Sequence, residues 1–465
     1  MAALICLLAL GFLILFAYRG YSVILFAPIA ALGAVLLTQP SAVLPVYSGL
    51  FMDSMVVFVK NYFPAFMLGA IFGKVIEQSG FAKSIVAAVI NVVGASRAML
   101  SIVLVCALLT YGGVSLFVVV FAVYPFAAEL FRASNIPKRL IPGTIALGSF
   151  TFTMDCLPFT PQIQNIIPTR FFGTTAGAAG WLGTIGAVWI FIWGMLYLEW
   201  RRRAAAKAGE GYGTTNLVNE PEPVDTASLA NPWIAISPLF VVGISNVIFT
   251  RIILPRYYGE TSTVILHQGA TPIVQVVKSW IGVWSVEAAL VLGILTVFIF
   301  SFKELSKKFI EGSKAAIAGS LLASMNTASE YGFGSVIAAL PGFIVLHRAL
   351  ERIPNPLVNE ALTVNILAGI TGSASGGMSI ALAASAKDFI AAANAHGIPM
   401  AVLHRVASMA SGGMDTLPHN GAVITLLFVC GLTHRQSYID IFAITINKFI
   451  AVFFVIAVYY LTGIV

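Results

Sequence analysis

The sequence predicts an all-α polytopic membrane protein made of two inverted structural repeats, with re-entrant hairpins, broken helices and about ten to twelve transmembrane helices. Three observations lead there: a composition that water cannot solvate, a single long polar stretch near the middle, and a set of motifs that occurs twice.

Of the 465 residues, 59% are hydrophobic and only 10% charged, and the mean hydropathy is +0.93. Soluble domains carry about 25% charged residues, and a soluble fold of this length has nowhere to hide so much apolar surface. Each crossing takes about 20 apolar residues. The net charge of +7 is not a nucleic-acid signal. The basic residues cluster at Arg201, Arg202, Arg203 and Lys207, and at Lys303, Lys307, Lys308 and Lys314. Positive loops stay on the cytoplasmic side, so the apolar runs 233–254 and 286–301 between the clusters go out and return. Residues 1–17 are apolar with no preceding basic residue, and Arg19 follows them. That predicts a retained first helix with its N-terminus outside, not a cleaved signal, in a multi-pass protein of the bacterial inner (plasma) membrane. Cys6, Cys106, Cys156 and Cys430 lie in or beside apolar stretches without a Cys-x-x-Cys pair, and read as free buried thiols.

The polar stretch 201–232 reads as a solvated cytoplasmic loop. It divides an N-terminal half, 1–200, from a C-terminal half, 233–465. The halves repeat. Gly112-Gly113-Val114-Ser115 has a counterpart in Gly376-Gly377-Met378-Ser379, Ile136-Pro137 in Ile398-Pro399, and Met154-Asp155-Cys156-Leu157-Pro158 in Met414-Asp415-Thr416-Leu417-Pro418. From the first glycine to the aspartate is 43 residues in one copy and 39 in the other. Gly80-Phe81 loosely matches Gly332-Phe333. Repeats in a membrane protein point to a transporter with its site at the repeat interface; inversion of the second copy is an analogy with such transporters.

Both matched regions, 98–175 and 362–438, are apolar yet full of Gly, Pro, Ser, Thr and Asn. Such runs hold a helix poorly, and non-helical backbone survives at membrane depth only in protein or beside a wet cavity. Each is therefore expected to contain a helix break or hairpin tip, whose helix N-terminus is a ready anion site. Gly112, Gly113, Ser115, Ser373, Ser375, Gly376, Gly377 and Ser379 are the substrate-binding candidates. The alternative is that these small residues only allow close helix packing.

Charge at depth is the second clue. Asp155 and Asp415 stand in apolar surroundings, where a carboxylate faces the protein interior and marks a pathway. They are candidates for proton coupling, joined by His419, which titrates near neutral pH, and by Glu330. Helix capping alone would also account for an aspartate before Leu-Pro. Asn420, and Thr160, Gln162, Gln164 and Asn165 after Asp155, offer hydrogen bonds to a hydroxylated ligand; His419 joins them. Glu77 is a candidate in the equivalent region of the first half, and the alternative for both glutamates is an interfacial position. Glu129 and Asp388 read as surface residues. His267, His347, His396, His404 and His434 read as loop or helix-end residues with no role. No metal cluster and no cofactor motif is present in the sequence.

At Phe66-Met67-Leu68-Gly69-Ala70-Ile71-Phe72-Gly73-Lys74, Ser134-Asn135-Ile136-Pro137, Gly372-Ser373-Ala374 and the stretch from Asp415 to Gly421, the sequence resembles the gluconate permease (GntP) family of the ion-transporter superfamily. The resemblance implies proton symport of small hydroxycarboxylates: gluconate and related sugar acids, D-serine or 3-hydroxybutyrate. The wider superfamily implies a homodimer with a scaffold and a moving transport region bearing two re-entrant hairpins. The gluconate branch has an acidic residue near Gly112 and an arginine before Gly372; here Gly112-Gly113 and Ala368-Gly369 stand instead. The Met-Asp-x-Leu-Pro-His-Asn-Gly version resembles the D-3-hydroxybutyrate branch, so a short monocarboxylate is the first expectation, and gluconate the second. Sodium coupling is the alternative to protons. The absence of a Gly-x-x-x-x-Gly-Lys-[Ser/Thr] loop argues against a pump; a channel is an alternative, since broken helices also build filters, but the filter signature is missing; an intramembrane enzyme using Asp415 and His419 would leave the duplicated Asp155 unexplained.

Overall fold

The computed structural model describes residues 2–19, 21–94, 97–114, 116–213, 218–221, 229–267, 271–343, 353–418 and 420–465. Ser115, His419 and His347 lie outside the described residues.

The described chain is almost entirely helical, as the composition requires: in lipid every backbone N–H and C=O must be paired within the protein. The first helices are α1 (Ala2–Tyr18), α2 (Val23–Thr38), α3 (Pro40–Gln78) and α4 (Phe81–Val93). A hairpin follows, α5 (Ala98–Tyr111) and α6 (Leu116–Ala133). Next comes a broken helix of three pieces, α7 (Ile141–Ser149), the single turn α8 (Phe152–Asp155) and α9 (Ile163–Phe172). The half ends in α10 (Gly180–Lys207). α11 (Pro232–Tyr258) leads to a short antiparallel ribbon, β1 (Thr261–Val264) and β2 (Ile273–Val276). α12 (Val277–Ala339) is a 63-residue helix kinked at Ser301, just before the second basic cluster. The second hairpin is α13 (Pro356–Thr371) and α14 (Ala374–Ala395). The second broken helix is α15 (Met400–Gly413) and α16 (Gly421–Val429), and α17 (His434–Thr462) closes the chain. Five of these helices are long and apolar enough to cross a membrane. Large apolar side chains such as Leu37, Val92, Trp181 and Phe428 cover the outside; a patch of that extent suits lipid, not water.

The order hairpin, broken helix, long helix occurs in both halves, and its two copies run in opposite directions. Asp440, early in α17, accepts a bond from Tyr197 at 2.9 Å and an ion pair from Arg201 at 2.6 Å, both late in α10. Asn447 donates to the carbonyl of Ile190 at 2.9 Å, and Phe454 stacks on Trp189. Gly186 then meets Val455. Position rises in one helix as it falls in the other, so equivalent helices are antiparallel, as inverted repeats demand.

A second antiparallel pair supports the hairpins from the side. Gln78 of α3 donates to the carbonyl of Lys308 at 3.3 Å, and Phe58 packs on Tyr331, ring centroids 5.7 Å apart. Gly332 lets α12 approach the Phe51 backbone. α2 and α11 pack on the same α12, with Gly293 accommodating Val242 and Phe72.

The expected solvated loop is only partly one. α10 runs on through the arginine cluster to Lys207. Beyond it, Tyr212 is buried, Arg139 binds Glu210 at 2.6 Å, and Lys138 binds Glu220 at 2.7 Å and the carbonyl of Val218 at 2.6 Å. Asn219 donates to the carbonyl of Phe428 at 2.8 Å. These are contacts between residues far apart in sequence, which composition does not reveal.

Candidate functional site

Helices break where the sequence places its repeated motifs. In the first break, α7 ends at Ser149 and its last carbonyls are taken by hydroxyls: Ser149 donates to Ile145 and Thr153 to Gly148, each at 2.8 Å. This satisfies groups that a helix end leaves free. Phe159 follows with a left-handed φ of 63°, unusual for a bulky residue, before Gln162 opens α9. In the second break, Asn420 opens α16, its side-chain oxygen accepting from Ala422 N at 2.7 Å and Val423 N at 3.0 Å.

Each break is tied to the hairpin of its own half. Gln162 Nε2 donates to the carbonyls of Thr110 and Val114, at 2.7 and 3.3 Å, at the α5–α6 tip. Asn420 Nδ2 donates to the carbonyl of Gly372 at 2.7 Å, at the α13–α14 tip. The two tips turn through Gly113, φ +98°, and Gly372, φ +63°, a region open to glycine without penalty.

The aspartates do not cap. Asp155 ends the single turn α8, and the residues at the N-caps are Gln162 and Asn420; the capping alternative is overturned. Both carboxylates are buried, Asp155 1% and Asp415 4% exposed. Lys448 of α17, itself 1% exposed, binds Asp415 Oδ1 at 2.7 Å and the carbonyl of Phe150 at 2.8 Å. One ammonium therefore joins the second break to the first. Asp155 Oδ1 accepts from the Cys156 thiol at 3.0 Å, while its Oδ2 has no hydrogen-bond partner and lies against Gly412. The Asp155 carbonyl is held by Arg405 at 3.0 Å and by Ser408 at 2.8 Å. Arg405, wholly buried, also binds the carbonyl of Ala178 at 2.8 Å. Glycines make this crowding feasible: Gly183 faces the Cys156 carbonyl and Arg405, and Gly413 faces Asn365 Oδ1, which is unpartnered.

The other candidates divide. Thr160 and Gln164 are buried with an unpartnered side-chain oxygen each. Asn165 is committed: its amide donates to the carbonyls of Thr160 and Ala176 at 3.1 and 2.9 Å, and its oxygen meets His404 at 3.3 Å. Ser373 caps α14, accepting from Gly376 N at 3.0 Å. Ser375 meets Thr327 at 3.3 Å. Ser379 lies a turn inside α14 and donates to the Ser375 carbonyl at 2.6 Å. Gly112 abuts Leu239, Gly113 abuts Pro161, and Gly377 abuts the Ala368 backbone, so these three serve close packing, the alternative weighed above. Glu330 is buried, not interfacial, and lies against Gly376. Glu77 pairs with Lys74 at 2.9 Å on the surface.

Several buried charged or titratable groups among the described residues escaped the sequence reading. His404 is not a helix-end residue: it is wholly buried inside α15, with Nδ1 2.6 Å from Thr174 Oγ1. Arg405, Lys448 and Glu360 were passed over, although each is a charge among the apolar residues of a helix, the same signal that singled out the aspartates. Glu360 is wholly buried in α13 with neither carboxylate oxygen partnered. The four cysteines are buried and free.

No protein-family model matches the chain. It is 58% identical over 477 residues to the uncharacterized transporter YxjC of Bacillus subtilis (strain 168), the match covering 100% of both chains. In three dimensions it is similar to the crystal structure of the Alcanivorax borkumensis YdaH transporter, with a TM-score of 0.57 and 13% identity, over 90% of this chain and 89% of that one. At that identity the second likeness concerns the fold.

Proposed function

This chain belongs to the transporter family of Bacillus subtilis YxjC, and we propose that it is a proton symporter of a small hydroxymonocarboxylate in the bacterial inner membrane. 3-Hydroxybutyrate is the first choice of substrate; gluconate or a related sugar acid is the second, and D-serine the third.

The observation that carries the reading is the one-sided pairing of Lys448. Two carboxylates are buried, one in each break, and the ammonium is bonded to Asp415 and to the carbonyl of Phe150. Asp155 keeps an oxygen without a donor. A proton on that oxygen supplies the missing hydrogen and neutralises a buried charge. Asp155 is therefore the first candidate for the coupled proton and Asp415 the second. The substrate carboxylate is drawn to the N-termini of α9, α14 and α16, and its hydroxyl to Thr160 and Gln164. Co-binding of a proton offsets the charge of the anion, and the hairpins and broken helices then move as one body against α2, α3, α11 and α12 in a homodimer. The resemblance to the gluconate permease family supports the substrate class and this elevator-type motion.

Sodium coupling is the second reading, favoured by the unpartnered Asn365 oxygen beside Gly413 at the carbonyl end of α15. Uptake into proteoliposomes, with a panel of small carboxylates under an imposed pH gradient and then a sodium gradient, tests both. Accumulation driven by the pH gradient alone supports the proposal. Accumulation driven by sodium alone replaces it with the second reading, and no carboxylate uptake removes both.

A further inference from the structure

One stretch of α12 carries Ser324 Oγ, Asn326 Oδ1, Ser329 Oγ and Glu330 Oε2, all buried and all without a hydrogen-bond partner. Four polar side-chain atoms left unsatisfied within seven residues are costly, each by about 1–3 kcal/mol. Asn326, Ser329 and Glu330 follow the spacing that sets side chains on one helix face. Beside them Thr327 reaches Ser375 at 3.3 Å, so this part of α12 meets the first turn of α14.

There Glu330, 5% exposed, lays its carboxylate against Gly376. Any side chain at 376 would collide with it. Ser373 has already used its hydroxyl on Gly376 N, and the N–H groups of Ala374 and Ser375 belong to the first turn, which has no acceptors within the helix. A carboxylate thus lies beside the first turn of a 22-residue helix, its Oε2 accepting no hydrogen bond there and no cation bonded to it among the described residues. The helix end is worth up to about 2 kcal/mol to an anion, less than the several kcal/mol that burying an unpaired charge costs. A purely structural position would be better filled by a neutral residue. An acid here makes sense where its departure is part of the work.

We propose that Glu330 is a tethered stand-in for the substrate's carboxylate. It fills the anion seat at the N-terminus of α14 while the site is empty, and it leaves when a carboxylate ligand enters. Asn326 and Ser329 then bond the ligand's hydroxyl and the displaced Glu330. This deepens the reading of the chain as an organic-anion carrier and rests on it for the identity of the ligand.

The first arm of the test uses acetate as the probe and does not depend on knowing the transported substrate. In the detergent-solubilised full chain, Glu330→Ala empties the seat. Acetate at about ten times its dissociation constant is expected to raise the unfolding temperature of the variant by about 2 °C over chloride of equal ionic strength. The wild type is expected not to respond, because its tethered carboxylate competes at an effective concentration in the millimolar range or higher. Glu330→Gln keeps the volume, serves as the second variant should alanine not fold, and is expected to bind 3-hydroxybutyrate or gluconate about tenfold more tightly than the wild type. Acetate that stabilises both proteins equally, or neither, together with unchanged affinity in Glu330→Gln, overturns the proposal. Those results leave the wild-type proteoliposome assay untouched, and failure of that assay leaves the acetate result standing.

Discussion

Lys448 Nζ stands 2.7 Å from Asp415 Oδ1 and 2.8 Å from the carbonyl of Phe150, so one side chain on the last helix closes both helix interruptions. Removing one partner of a buried ion pair strands the other, at about 3–5 kcal/mol. Lys448→Ala is expected to lose that much stability. Lys448→Ala combined with Asp415→Asn is expected to recover part of it, read by thermal unfolding in detergent. A double variant no more stable than the single one contradicts the pairing.

Asn420 does two jobs, capping α16 and holding the Gly372 carbonyl of the hairpin tip. Asn420→Ala is expected to cost about 1–2 kcal/mol from the cap and to raise the substrate concentration for half-maximal uptake several-fold as the tip loosens. Asn420→Asp keeps the cap but not the amide donor. If it transports like the wild type, the tie to Gly372 has no functional weight.

Gly412 lies where a methyl group would meet Asp155 Oδ2. Gly412→Ala is expected to destabilise by about 1–3 kcal/mol through overpacking and to weaken pH-driven accumulation more than downhill exchange. Equal loss of both would mean that the methyl group acts on folding alone.

On the loop side, the Arg139 guanidinium bonded to Glu210 holds that carboxyl below the usual carboxylate range. A depressed folded-state value gives stability that is present above the unfolded pKa, about 4.3, and is lost as pH falls through the folded value. Glu210 is 39% exposed, so solvent screening keeps the contribution small. Unfolding curves of wild type and Glu210→Gln are expected to differ at pH 7 and to converge as the pH drops below 4. A constant gap across that range contradicts the assignment.

The positions of both hairpins and both breaks were legible in the sequence because Gly, Pro and Asp advertise them locally: Gly112, Asp155, Gly376 and Asp415 all fall at a helix end, in a first turn or in a break. What joins the breaks was not. Arg405 bonds the backbone of Asp155 across 250 positions, and Lys448 binds Asp415 across 33. Neither partner follows from spacing, since it depends on how α15 and α17 cross α10. Charges among the apolar residues of helices were the available signal. Applied to every charge and not only to those beside a motif, that signal reaches Lys448, Arg405 and Glu360. Gly112, Gly113 and Gly377 show what a motif leaves out: their close approaches to Leu239, Pro161 and the Ala368 backbone do not follow from spacing.

Proton coupling through Asp155 is tested most directly by comparing wild type with Asp155→Asn in proteoliposomes, following labelled 3-hydroxybutyrate or gluconate, whichever the wild type takes up. The wild type is expected to concentrate the label when the pH gradient is imposed. The variant is expected to equilibrate the label without concentrating it, at a rate insensitive to that gradient. A variant that still concentrates the label with the wild-type pH dependence contradicts the assignment of the proton to Asp155.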